Sequence, residues 1–249
     1  MQAYLTLTRR ELGSFFYSWI GYVVIAGAMF GTGWSFVALL DRLQGEPTMM
    51  PLTEIFLDGC FWLIVLFSAP IITMRLFALE KFSGTFETLM TTPVSDWQVV
   101  LAKFTAALIF YMLMWLPLLG CILVLNYFAR GANLLDPGAL GGAYLGILLI
   151  GCLYMAAGCF ASALTRNQIV AAMISSAMGL ALFLAGFMAG PLDTQQGWAA
   201  RTFNCIGVIN QMKDFARGVV DTRSIVFCLT SSFFFLFLAC RVIESRRWR

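Results

Sequence analysis

The side chains most able to do chemistry are carboxylates and cations gathered in one short stretch, and their chemistry is recognition. Glu80, Lys81, Gly84, Thr85 and Glu87 fall within eight residues, followed by Leu89 and Pro93. Ionised groups at this spacing make charge-assisted hydrogen bonds to a partner surface. Phe82, Phe86, Leu89 and Met90 recur at helical intervals and share one face, while Glu80, Ser83, Gly84 and Glu87 lie off that stripe. The pattern predicts an amphipathic helix over 78–92, stopped by Pro93. Such a helix either lies on a membrane surface or takes a push from another protein. Gly84 would allow close backbone approach, and Trp97 would anchor the exit at the interface.

Covalent chemistry finds no foothold. The chain has no histidine, so a metal site would have to rest on seven cysteines. Six of these sit in apolar runs, where a thiol behaves as a small hydrophobe, and Cys205 stands alone in a polar loop. No G-x-x-x-x-G-K-[ST] motif is present to seat nucleotide phosphates. The sequence therefore predicts a non-catalytic chain with no metal and no cofactor of its own.

The elements that must position the charged segment are membrane spans. Of 249 residues, 60% are hydrophobic and 12% charged, about half the charge of a soluble domain. A net charge of +3 without basic blocks outside the termini excludes a nucleic-acid binder. Runs of about 20 apolar residues cross a bilayer as helices. Six qualify, at 20–40, 56–74, 104–128, 139–163, 168–190 and 224–241. Pro117 should kink the third, and Lys103 at its start should snorkel to the interface. The first run is long enough to stay as a span and lacks a cleavage site.

Basic residues set the orientation. With the N-terminus inside, Arg9, Arg10, Arg75, Lys81, Lys103, Arg166, Arg241, Arg246, Arg247 and Arg249 are cytoplasmic, ten of the sixteen Lys and Arg. The expected fold is an all-α membrane protein with six transmembrane helices, both termini inside, and 78–92 on the cytoplasmic side. Residues 1–18 read as an amphipathic interface helix. The loop 191–223 spaces Trp198, Phe203, Ile206, Ile209, Met212 and Phe215 for short amphipathic helices ending near Gly218. These serve either as membrane-interface helices or as a docking surface.

From Phe104 to Ala129, Pro137 to Thr165 and Asn167 to Leu192 there is no Asp, Glu, Lys or Arg. Ion-coupled carriers keep such groups at membrane depth, and no inverted repeat is apparent. The helices carry small-xxx-small pairs instead: Gly27/Gly31, Gly142/Gly146, Ala157/Ala161 and Gly186/Gly190. These suit close packing within the bundle or a dimer seam. Thr230, Ser231 and Ser232 should bond their own backbone four residues back.

Together, Arg9-Arg10-Glu11-Leu12 in an amphipathic N-terminal helix, the six spans, and Glu80-Lys81-x-x-Gly84-Thr85-x-Glu87-x-Leu89-x-x-x-Pro93-Val94-Ser95 resemble permeases of the ABC-2 type. Asp214-Phe215-Ala216-Arg217-Gly218-Val219-Val220-Asp221-Thr222-Arg223 and Glu244-Ser245-Arg246-Arg247-Trp248 are similar to the gliding-motility-type branch. Ser18-Trp19 departs from it, since many relatives place Ser-Pro there. The resemblance extends over the whole chain as a single transmembrane domain, 1–249. It implies that 78–92 is a coupling helix fitting a groove on a separate ATPase subunit, present in two copies and carrying the ATP and Mg. It also implies a second permease chain, identical or related, and residence as an exporter in the lipid of the bacterial cytoplasmic (inner) membrane. The alternative it implies is a force relay without transport. In that reading Asp214, Phe215, Arg217 and Asp221 pass ATP-driven motion to an extracytoplasmic protein.

Overall fold

A computed structural model describes residues 2–43, 54–56, 58–85, 95–128, 137–192 and 206–247. Helices α1 (Gln2–Phe16), α2 (Trp19–Leu43), α3 (Gly59–Thr73), α4 (Ala78–Ser83) and α5 (Asp96–Met114) are followed by α6 (Leu116–Phe128), α7 (Pro137–Leu164), α8 (Gln168–Leu192), α9 (Val208–Ala216) and α10 (Thr222–Arg247). No strand occurs among the described residues. Among the described residues, six stretches are long and apolar enough to cross a membrane: Trp19–Asp41, Gly59–Ser83, Asp96–Val124, Pro137–Leu164, Gln168–Gly186 and Thr222–Ser245. The chain is an all-α, multi-pass membrane protein.

Helix α7 is the axis. It is the most deeply buried of the spans, with 83% of its most apolar 18 residues buried, and α3, α5, α8, α9 and α10 all pack against it. Its composition explains this place, because Gly142, Gly146, Gly151, Ala156, Ala157, Gly158 and Ala161 let neighbouring backbones approach where lipid supplies no hydrophobic drive between helices. Beside it Phe61 packs edge-on to Phe56 at 5.0 Å and meets Trp115 at 5.0 Å, while Trp62 meets Phe183 at 5.3 Å.

The third span breaks where Pro117 predicts. Helix α5 ends at Met114 and α6 begins at Leu116. The Trp115 carbonyl at the break accepts hydrogen bonds from the Leu118 amide (3.2 Å) and the Tyr144 hydroxyl (3.1 Å), so the interruption leaves that oxygen satisfied inside the membrane. Thr230 and Ser232 donate to the carbonyls of Val226 and Cys228, each 2.6 Å away, the backbone pairing their types favour.

Two local expectations are corrected. The third span starts at Asp96, capped by the Ser95 hydroxyl accepting from the Gln98 amide. That earlier start puts Lys103 two turns inside the helix, so it does not snorkel. The continuous helix expected over 78–92 is interrupted, because Gly84 adopts φ 74°, the left-handed conformation that ends α4 and that glycine takes at little steric cost. The apolar periodicity running past Gly84 carried no information about that break. Residues 86–94, with Glu87, Leu89 and Pro93, lie outside the described residues.

Candidate functional site

Four ionisable side chains at the α4 end of the bundle, Arg10, Glu11, Glu80 and Lys103, converge. Lys103 of α5 has a side chain only 3% exposed, where a lone ammonium would be costly. Its Nζ lies 2.9 Å from Glu80 Oε1 and 3.1 Å from Glu11 Oε1. Arg10 reaches the same two oxygens, at 2.9 Å on Glu11 and 3.1 Å on Glu80. Two cations and two carboxylates thus form a closed square joining α1, α4 and α5. Hydrogen bonding to Glu11 raises the Arg10 pKa above its ordinary value, so the guanidinium stays charged. The Phe77 ring sits 5.4 Å from Lys103 Nζ and adds a cation–π contact.

A second set of bonds ties α4 to the axis. The Ser162 hydroxyl on α7 accepts from the Phe77 and Ala78 amides, each at 3.1 Å, and donates to the Met74 carbonyl at 3.2 Å. Lys81 Nζ donates to the Ala163 carbonyl. Helix N-termini leave amides without internal partners, and Ser162 satisfies two at the start of α4. Helix α1 is held along α5 by Tyr4 donating to Thr105 (3.0 Å) and by Phe15 stacked on Phe110 (5.0 Å).

The residues singled out in the sequence therefore divide. Glu80 and Lys81, expected to meet a partner, turn inward and bind this chain's own α1, α5 and α7. Phe82, Ser83, Gly84 and Thr85 are exposed, Phe82 to 78%. The Ser83 and Thr85 hydroxyls are paired at 2.9 Å. Nothing lies within 4 Å of where a Gly84 Cβ would stand, so the need for glycine there is its positive φ, not contact within the chain. Sequence reasoning missed Lys103 as a partner of Glu80, and Ser162 altogether. The signal for Lys103 was present, since a lone cation two turns into an apolar helix needs a carboxylate. A serine in an apolar helix gives no comparable signal.

At the opposite end of α7, Gly142 and Gly146 form a bed for α9. A Cβ on Gly142 would stand 2.5 Å from the Phe215 carbonyl, and one on Gly146 would stand 3.0 Å from the side chains of Met212 and Phe215. Val208, Met212 and Phe215 are fully buried. The apolar face of α9 is thus packed into the bundle, and Phe215 is a packing residue there, not a surface one. Gly218, φ 78°, turns the chain toward α10. Arg217 and Asp221 are exposed and Asp214 half-buried, and the Asp221 carboxylate accepts from the Arg223 amide at 2.9 Å, capping α10. Trp198, Phe203 and Cys205 lie outside the described residues.

No group of three or more potential metal ligands occurs among the described residues. No curated protein matches the chain. Residues 52–215 match the family model described as ABC-2 family transporter protein. That match takes in α3, the clamped α4 segment, α5 to α8 and nearly all of α9, well over half of the chain. Six apolar spans, a charged segment braced against the central helix and this match agree: the chain belongs to the ABC-2 family of transporter proteins, as a membrane-spanning subunit.

Proposed function

We propose that the chain is the permease of an ATP-driven exporter and that a separate ATPase subunit, in two copies, drives it through residues 78–92. The observation that carries this is the bracing of α4. A helix that receives force must pass it on, and α4 is bonded at once to α1, α5 and the end of α7. Its tip, Phe82 to Thr85, is exposed on the surface of the chain. Gly84, Thr85, Glu87, Leu89 and Pro93 are the residues proposed to meet the ATPase. Glu80 and Lys81 are the ones proposed to carry its motion inward. ATP and Mg reside on the partner, and this chain does no chemistry. Two ATPase copies imply two permease chains, identical or related. The braced end faces the cytoplasm of a bacterium whose inner membrane holds the complex.

Disconnecting α4 from the axis tests the reading. In the assembled complex, Lys81→Met with Ser162→Ala should leave ATP hydrolysis within about twofold of wild type. Export should fall by tenfold or more, as losing several hydrogen bonds would require. Equal loss of hydrolysis and export would point to a folding defect, and full export would remove α4 from the pathway.

One observation favours the second reading, a relay to an extracytoplasmic protein. Helix α7 has 28 residues, about 42 Å of continuous helix, and holds α4 at one end and α9 at the other. Motion delivered to α4 would arrive beside Asp214, Arg217 and Asp221, at the segment that resembles the gliding-motility branch. Reversing the charges of Asp214 and Arg217 should then release a co-purifying partner while basal hydrolysis persists. Retention of every partner would exclude the relay.

A further inference from the structure

The charge square at the α4 end is neutral in itself, two cations against two carboxylates. Arg75 stands beside it as a surplus cation. Arg75 lines a cavity of about 190 Å³ together with Arg10, Glu11, Glu80 and Lys103, yet it has no ion-pair partner among the described residues. Its guanidinium donates at 2.6 Å to the hydroxyl of Ser18, a neutral acceptor at the hinge between α1 and α2. Tyr17 and Trp19 on either side of Ser18 are 93% and 87% exposed, the aromatic pair typical of a membrane–water boundary.

Close to this bridge along both helices lies an apolar groove of about 370 Å³ between α2 and α3. Ile20, two residues after Ser18, and Ile71, one turn before Arg75, line its near end. Val23, Gly27, Phe67 and Leu63 carry it away from the bridge. From Ile71 to Leu63 is eight residues of helix, about 12 Å, a length suited to the first part of an extended acyl chain. The groove stays open because Gly27 carries no side chain, and nothing lies within 4 Å of where its Cβ would stand.

We propose that this groove and the Arg75–Ser18 bridge form a binding site for one anionic phospholipid per chain. The phosphate would pair with the Arg75 guanidinium and accept from the Ser18 hydroxyl, and one acyl chain would lie along Gly27 and Phe67. The choice of an anionic lipid rests on the surplus charge. A guanidinium one helical turn beyond Ile71, at the end of an apolar groove, selects a phosphate carrying net negative charge, and a zwitterionic headgroup would bring its own cation to the same place. The site joins the α1–α2 hinge to the segment leading from α3 into α4, so an occupied site would fix the hinge against α3.

The test is native mass spectrometry of the purified chain in neutral detergent. It compares phosphatidylglycerol, phosphatidylcholine of the same acyl chains, and inorganic phosphate. One phosphatidylglycerol should be retained per chain, about tenfold more strongly than phosphatidylcholine, the scale of one charge-assisted contact. Arg75→Gln should bring phosphatidylglycerol down to the phosphatidylcholine level. Gly27→Leu, which has room for its side chain, should lower retention of both lipids with the helical circular dichroism spectrum unchanged. Equal retention of the two lipids by the wild-type chain would overturn the proposal. So would inorganic phosphate competing fully without an acyl chain, or Gly27→Leu dissociating a dimer while lipid retention is unaltered, which would make the groove a chain–chain contact.

Discussion

The two ends of α7 hold their partner helices by opposite means. At Ser162 and Ala163 the axis grips α4 through hydrogen bonds, and a square of charges backs that grip. At Gly142 and Gly146 it holds α9 by close fit, glycine against Met212 and Phe215. Polar bonds are directional and keep a register while the whole assembly moves. Glycine-bedded contacts depend on separation only, and they fail when a methyl group is added. A helix meant to receive a push is served by the first kind, and a helix meant to seal the far side of a bundle by the second.

The largest effect should come from breaking the square at its most buried member. Lys103→Met leaves two carboxylates with only the half-exposed Arg10, and removing one partner of a buried pair costs about 3–5 kcal/mol. Thermal unfolding in detergent should show this loss, and assembly with a partner ATPase should fail. A Lys103→Met chain as stable as wild type would mean the charges are solvated and the polar grip is not structural.

Next comes the opposite end. Gly146→Val inserts atoms where a Cβ would stand 3.0 Å from both Met212 and Phe215, and overpacking of this kind costs about 1–3 kcal/mol. The loss should appear as faster thiol labelling at an engineered Met212→Cys, with the α4 end unaltered. Labelling that stays slow would show that α9 can shift without leaving α7.

Gly84 sharpens the comparison through backbone conformation. At φ 74° a residue with a Cβ loses about 1–2 kcal/mol, less for Asn. Gly84→Val should therefore reduce coupling more than Gly84→Asn, at equal expression. The reverse order would assign the glycine to contact with a partner.

Arg10 should matter least. Its side chain is 57% exposed, so Arg10→Ala should cost no more than about 1 kcal/mol and lose its effect at high salt, as a urea titration at two ionic strengths would show.

Much of this was legible in the sequence, for physical reasons that differ by element. The spans are visible because a bilayer demands long apolar runs, and Pro117 marks its own break because it lacks a donor. The buried half of the site was less legible. Glu80 and Lys81 are charged and lie in a loop, which predicts exposure. Their inward turn depends on Lys103 and on the Ala163 carbonyl, distant in sequence and brought near only by packing. Helix α9 likewise shows an amphipathic pattern with two readings, and only the glycine bed on α7 decides where its apolar face goes. Gly84 was visible as a glycine but not as a helix end, because the apolar periodicity ran on past it.

If an ATPase acts at the tip of α4, a reversible cross-link at that tip should arrest the transporter. Thr85→Cys, exposed and next to Gly84, should form a disulfide with a cysteine placed in the groove of a partner ATPase. Oxidation should stop ATP-driven export, and reduction should restore it. Export that continues at the full rate with the disulfide formed, or a cross-link that forms only at the α10 end around Ser245, would contradict ATPase action at that tip.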